Sequence, residues 1–352
     1  MFDALISKYF SKLGVALSKS FTRYAAGAIS ACSFSTYEIA RHVSKATKKD
    51  FNTAERGLNY LLCNDNFQID DTYWRMHTNM IFDLMKEQNL IQNKEKIYIQ
   101  IDFTSHENYF LILSASIIVN NRAVPLYFTM RNYPKKKDQY NHKKMEQAFL
   151  QGLKHVLSKR YQYVIVANRG FGNQRFLNLC EACGFEYLIR TNPNLKIEIG
   201  EKVGLMEEIC ESDGGYKVYI KSWTKEQEVY RCSQEEKIWY LMSNIKELSD
   251  KEAQNIYENR FKIEKCFQDL KSSGFDMEKS KIRKYSNYKK LLAVCMVAHS
   301  LLVMLGNLIV VKMPHFLKNS ADMADVILAY FLLEERHKTY FLKNTSPNSS
   351  HA

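Results

Sequence analysis

Three side chains occupy positions from which a sheet could gather them for chemistry: Asp102, Asn168 and Glu264. Asp102 lies within the apolar run YIQIDFTS, and a carboxylate in such a run must be paired or used because its burial is costly. Asn168 ends the apolar run YVIVAN, and Glu264 lies in the helical pattern YENRFKIEKCFQDLK. If the two runs are neighbouring strands, the first two side chains lie together and the later helix adds a third oxygen ligand.

The segment 251–273 predicts one long helix with a polar face. At about 100° per residue, four polar side chains project within a stripe about 60° wide. They are Tyr257, Arg260, Glu264 and Lys271. Such a face suits a functional site, but a solvated helix with charge pairs at helical spacing shows the same pattern.

The elements that must position these residues begin with a helical region, which extends to about residue 90. Ser35 or Thr36 is the expected cap of the helix YEIARHV, and Thr53 is the expected cap of AERGLNYLL. A small basic bundle with a helix-turn-helix-like pair is suited to the major groove of DNA, although many such bundles bind nothing.

At Lys94 the period changes from helix to strand. The runs KIYIQIDFTS, NYFLILSASIIVNN and AVPLYFTMRNY predict an antiparallel meander. A helix, the strand YQYVIVAN, the helix GNQRFLNLCEACG and the strand FEYLIRT follow. This order predicts the α/β (α+β) class: an RNase H-like mixed sheet with flanking helices, preceded by an all-helical N-terminal domain.

The rest of the chain departs from this alternation. Short strands predict a β-rich insertion over residues 192–247, which precedes the long helix. The run 291–311 is long enough for a membrane span, but its His299, Ser300 and Asn307 favour a buried helix, 288–311, of a large core. A final amphipathic helix is expected near 321–336, followed by a polar tail.

The balance of charge points to a polyanionic partner. Of 352 residues, 50 are Lys or Arg and 38 are Asp or Glu, for a formal net charge of +12. This excess favours nucleic acid over anionic lipid and concentrates in residues 1–50 and 131–160. The cysteines lie mostly in apolar runs, and no second CxxC or His pair completes a zinc site with Cys180 and Cys183. We expect a cytoplasmic, nucleoid-associated protein.

The spacing Tyr257-x2-Arg260-x3-Glu264-x6-Lys271 resembles the Y-R-E-K signature of DDE-class insertion-sequence transposases, in the group called IS-four. The IDFTS and RAVPLYF segments resemble that family's first-Asp region, and VIVANRGFGN resembles its second-Asp strand and turn. NTAERGLNYLL resembles its helical DNA-binding lead-in, and the likeness covers about residues 20–310.

This resemblance implies a transposase that binds terminal inverted repeats as a dimer, then cleaves and joins DNA strands. The family reaction uses two Mg²⁺ (or Mn²⁺) ions held by three carboxylates. The implied catalytic and metal-ligating positions are Asp102, Asn168 and Glu264, and at the second position this chain carries an amide instead of the family's Asp. An amide offers one neutral oxygen and cannot bridge two ions, so we expect DNA binding with little strand cleavage.

DNA contacts are implied for several further residues. Tyr257, Arg260 and Lys271 resemble the family's phosphate-binding residues, and Trp239 or Trp223 could stack on an extruded base, although packing under the β insertion explains a Trp equally well. The basic residues that could line the DNA backbone, or simply form a solvated loop, are Arg131, Lys135, Lys136 and Lys137.

Two other functions remain open on the sequence. A transposase-derived DNA-binding protein without catalysis would explain Asn168, and a transposase-derived nuclease would retain the metal and lose strand transfer. The amide is compatible with a deliberate Asp-to-Asn change or with a natural loss. The expected domain bounds are 1–90 for DNA binding, 91–191 and 248–338 for the catalytic domain, 192–247 for the insertion and 339–352 for a disordered tail.

Overall fold

The computed structural model describes residues 2–92, 95–133, 142–234, 236–271 and 275–312. Its N-terminal part is helical, as predicted. The helices are α1 (Phe2–Tyr9), α2 (Val15–Ala31), α3 (Thr36–Thr47), α4 (Phe51–Cys63) and α5 (Asp71–Glu87). The predicted cap Ser35 accepts a hydrogen bond from the Glu38 N–H. The cap predicted at Thr53 is wrong: α4 begins earlier because the Asp50 carboxylate accepts the N–H of Thr53.

Five strands form the first part of a mixed sheet: β1 (Lys96–His106), β2 (Phe110–Val119), β3 (Arg122–Asn132), β4 (Gln162–Ala167) and β5 (Glu186–Arg190). Between them lie α6 (Lys143–Val156) and α7 (Gln174–Cys183). The first three strands form an antiparallel meander, whereas β1 pairs with β4 and β4 with β5 in parallel. The resulting order β3-β2-β1-β4-β5 is that of the predicted RNase H-like sheet.

The inserted segment continues this sheet. Its strands are β6 (Lys196–Ile199), β7 (Lys202–Leu205), β8 (Gly214–Ile220), β9 (Lys225–Gln234) and β10 (Lys237–Ser243), with the short helix α8 (Met206–Ile209). Because β10 pairs antiparallel with β5, the sheet has ten strands, in the order β3-β2-β1-β4-β5-β10-β9-β8-β6-β7. The insertion is therefore an extension of the same sheet.

The single long helix predicted over 251–273 is wrong. Two helices occupy this stretch, α9 (Asp250–Glu258) and α10 (Phe261–Lys271). At the break, the N–H groups of Arg260 and Ile263 bond to carbonyls three residues back instead of four, and the chain turns. The predicted stripe assumed an unbroken helix, so its angles do not apply across this turn.

The last described helix, α11 (Tyr285–Lys312), passes through the core, as predicted. By length and composition, Tyr285–Gly306 could span a membrane, but 89% of its apolar window is buried inside the protein. The helix predicted near 321–336 and the tail lie outside the described residues.

The N-terminal helices share their core with the sheet. The Tyr73 hydroxyl donates to the Ala293 carbonyl of α11 at 2.8 Å, and the Trp74 ring packs against Tyr127 and Phe128 of β3. A smaller core lies between α9 and the other face of β4 and β10, where Val164 and Val166 are fully buried. Helices therefore cover both faces of the sheet. The polar residues described next lie in β1 and directly after β4, two neighbouring strands of this sheet.

Candidate active site

Asp102 and Asn168 meet because β1 and β4 are parallel neighbours. Ile101 is in register with Ala167, so Asp102, in the middle of β1, lies beside Asn168, which directly follows β4. There the Asn168 Nδ2 donates to Asp102 Oδ1 at 2.9 Å. The Phe103 N–H donates to the same oxygen at 2.8 Å.

The turn after β4 fixes the orientation of the Asn168 amide. The Gly170 N–H lies 2.8 Å from Asn168 Oδ1, and since a backbone N–H only donates, the amide oxygen must face it. Its NH₂ group therefore faces Asp102. The turn also needs Gly172, because a Cβ at that position would lie 2.4 Å from the Arg190 carbonyl oxygen.

Arg260 lies between the two carboxylates of the site. It follows the break between α9 and α10, and its side chain is only 5% exposed. One guanidinium nitrogen lies 3.1 Å from Asp102 Oδ2, and the other lies 2.5 Å from Glu264 Oε1. The guanidinium also covers the Phe261 ring, with its carbon 4.5 Å from the ring centroid. A single cationic side chain thus joins Asp102 to Glu264.

The two carboxylates differ in environment. Asp102 is mostly buried, and this burial raises the pKa of its carboxyl group even though the Phe103 N–H and Arg260 act in the opposite direction. The Glu264 side chain is 53% exposed. The donors around Asp102 therefore offset part of the effect of burial on its pKa, whereas the Glu264 side chain is about half in contact with water.

The residues present do not fit a pair of divalent ions in this arrangement. Carboxylate and amide oxygens suit Mg²⁺, but both oxygens of Asp102 and the amide oxygen of Asn168 already accept hydrogen bonds. Two carboxylates and one guanidinium leave a single net negative charge, which poorly balances two dications. Among the described residues, no group of three or more His, Cys, Asp or Glu is arranged to hold a metal.

Two of the predicted DNA contacts are buried. Tyr257 is 1% exposed and Trp239 is 2% exposed. Their rings lie 5.1 Å apart, and Trp239 also packs against Phe261. In this arrangement the Trp239 indole has no open face for a base and the Tyr257 hydroxyl cannot reach a phosphate.

The remaining predicted DNA contacts are Lys271, Arg131 and three consecutive lysines. Lys271 is half-buried at the end of α10. Arg131, at the end of β3, has a guanidinium nitrogen 3.0 Å from the His142 Nδ1. Lys135, Lys136 and Lys137 lie outside the described residues.

Arg190 is a site residue that the sequence interpretation missed. It ends β5, the strand beside β4. Burial raises the pKa of the Tyr257 hydroxyl, and the charge of Arg190, like that of Arg260, offsets part of this effect. The sequence signal for Arg190 was its position. It lies near the end of the strand FEYLIRT, and Asn168 lies in a similar place, at the end of the preceding strand.

Residues 69–301 match the family model described as the transposase DDE domain. The chain belongs to this family. Asp102, Asn168, Arg260 and Glu264 all lie within the matched residues. No curated protein sequence matches the chain.

The solved structures to which this transposase-family chain is similar include the following two. A piggyBac transposase synaptic complex with hairpin DNA is 10% identical and matches over 100% of this chain and 84% of that chain, with a TM-score of 0.41. Endonuclease V of Ciona intestinalis, in complex with an inosine-containing DNA, is 13% identical and matches over 47% of this chain and 76% of that chain, with a TM-score of 0.28.

Proposed function

We propose that this chain is an insertion-sequence transposase, similar to the IS-four group, that binds transposon-end DNA and is impaired in strand cleavage and transfer. Family membership supports the reaction class, and the net charge of +12 supports a DNA partner. A dimer in the synaptic complex and a cytoplasmic, nucleoid-associated location belong to the same proposal.

The impairment rests on one observation, the hydrogen bond from the Asn168 amide to Asp102. At that position a competent DDE site needs an oxygen with negative charge, but here an N–H donor faces the first carboxylate. Phosphoryl transfer with two Mg²⁺ ions depends on charge that the site gathers, and removal of any one ligand weakens ion binding. Asn168 therefore allows DNA binding and blocks efficient chemistry.

The test is Asn168→Asp, assayed for cleavage of cognate end DNA with Mg²⁺ or Mn²⁺. We expect cleavage to rise by orders of magnitude, since the missing ligand is restored. Asn173→Asp is a matched control: Asn173 caps α7 through its side-chain oxygen, so the change adds the same charge and keeps the cap. If the unaltered chain already cleaves at the rate of Asn168→Asp, the proposed impairment is wrong.

A second candidate is a DNA-binding protein derived from a transposase, and Asn168 favours it as well. A protein that is retained only for DNA binding loses nothing when an amide replaces the second carboxylate of the site. Asn168→Asp distinguishes the two functions, because a repurposed protein would bind end DNA and stay inactive. Joined products from that variant support transposition, whereas nicked products alone support a nuclease.

A further inference from the structure

Both oxygens of Asp102, one oxygen of Glu264 and the amide oxygen of Asn168 accept hydrogen bonds from the chain itself. Asp102 Oδ1 accepts from Asn168 Nδ2 and the Phe103 N–H, and Asp102 Oδ2 accepts from Arg260. Glu264 Oε1 accepts from the other guanidinium nitrogen, and the Asn168 oxygen accepts from the Gly170 N–H. A guanidinium and an amide NH₂ thus lie where carboxylates would otherwise repel one another.

The Asn168 amide cannot turn its oxygen toward an ion without losing both of its hydrogen bonds. Turning would place Asn168 Oδ1 against Asp102 Oδ1, two acceptors at the present 2.9 Å separation. It would also place the NH₂ group against the Gly170 N–H, two donors at the present 2.8 Å separation. Since the Gly170 N–H belongs to the backbone and Asp102 Oδ1 is held by the backbone N–H of Phe103, the amide keeps its orientation and its N–H stays on Asp102.

We propose that Asn168 and Arg260 together replace the divalent ions, so that this centre is assembled without them and keeps a single net negative charge. The inference deepens the proposed function and rests on its assignment of the transposase active site. It predicts that neither the thermal stability of the chain nor its affinity for end DNA depends on divalent ions. It also predicts that the dependence returns when the amide becomes a carboxylate.

The dependence on divalent ions that we expect of Asn168→Asp follows from the shape of the aspartate side chain. Asp has the same size as Asn, and its one oxygen would accept from Gly170 while the other took the place of Nδ2, 2.9 Å from Asp102 Oδ1. Two carboxylate oxygens so close repel unless a cation or a proton lies between them. Such a site is destabilised in EDTA and stabilised by an ion that it binds.

The experiment measures melting temperature in EDTA, Mg²⁺ and Mn²⁺ at matched ionic strength, for the unaltered chain, Asn168→Asp and Asn173→Asp. We expect the unaltered chain and the control to shift by less than about 1 °C on adding Mn²⁺. Asn168→Asp should melt lower in EDTA and rise by about 3 °C or more with Mn²⁺. A comparable Mn²⁺ shift in the unaltered chain, or none in Asn168→Asp, overturns the inference.

A second measurement needs no variant. Titration of the unaltered chain with Mn²⁺, with free ion followed by electron paramagnetic resonance, should find no bound ion at micromolar concentrations. End-DNA affinity should agree within about twofold between EDTA and Mg²⁺, whereas a bound ion or a larger Mg²⁺ effect contradicts the inference. Failure of the proposed function looks different: the chain would not bind end DNA in any buffer, while its melting temperature stayed independent of Mn²⁺.

Discussion

Arg260 binds Asp102 across 158 residues of sequence, from the turn between α9 and α10 to the first strand of the sheet. The contact is nearly dry, with the arginine side chain 5% exposed and the aspartate side chain 14% exposed. The same guanidinium binds Glu264, which is mostly in water. One guanidinium therefore pairs with a buried and with an exposed carboxylate. We expect the two contacts to contribute differently to the free energy of unfolding.

Arg260→Gln should lower the free energy of unfolding by about 3 kcal/mol, because it leaves the buried Asp102 carboxylate without its cation. Glu264→Gln is the matched comparison on the exposed side of the same guanidinium. Glu264→Gln should lower the free energy of unfolding by less than about 1 kcal/mol, as is usual for exposed ion pairs. Urea unfolding of both variants checks this, and equal losses would mean that Asp102 is not held by Arg260.

Trp239→Phe should leave end-DNA affinity unchanged, because the indole is packed between Tyr257 and Phe261 and has no free face. Trp239→Ala should instead cost about 3–5 kcal/mol of stability through the cavity it leaves. Fluorescence anisotropy with end DNA and urea unfolding give the two quantities. A large loss of affinity in Trp239→Phe would show that the aromatic cluster opens on DNA.

The exposed lysines of the N-terminal helices should contribute to DNA affinity through phosphate charge. Lys45→Gln with Lys49→Gln should weaken end-DNA binding and reduce the slope of log affinity against log salt by about 1 for each phosphate that is no longer neutralised. Lys202→Gln with Lys217→Gln removes the same charge from exposed positions on β7 and β8, at the far end of the sheet. A slope lowered equally by both pairs would mean that only net charge matters.

Two buried histidines should make the fold sensitive to mild acid. Burial lowers the pKa of His77 to about 4 and that of His299 to about 3, against 6.5 for the unperturbed group. The unfolded chain therefore takes up protons first, so stability is full above pH 6.5 and falls as the pH drops toward about 4. Each histidine contributes about 1.4 kcal/mol per pH unit in that window.

The acid effect is measured as the urea midpoint at a series of pH values. His299→Gln removes one titrating group and should make the loss of stability between pH 6.5 and 4.5 shallower by about one proton. An unchanged slope in His299→Gln would assign the acid sensitivity to other groups.

Much of the fold could be predicted from periodicity. The meander of β1 to β3, the parallel strands β4 and β5 and the apolar helix α11 are each encoded by a local pattern. The one helix predicted over 251–273 was wrong for a non-local reason. The bond from Arg260 to Asp102 requires a turn that no local pattern signals.

The sequence alone determined which residues could form a site and that the second position is an amide. Only the tertiary structure decided which atom of that amide faces Asp102, that Tyr257 and Trp239 are buried, and that Arg260 is the counter-ion of both carboxylates. The physical reason is the separation along the chain between the residues that interact. Helix and strand periods arise from neighbours in the chain, whereas burial and the pairing of charges depend on which distant segments share the same small volume.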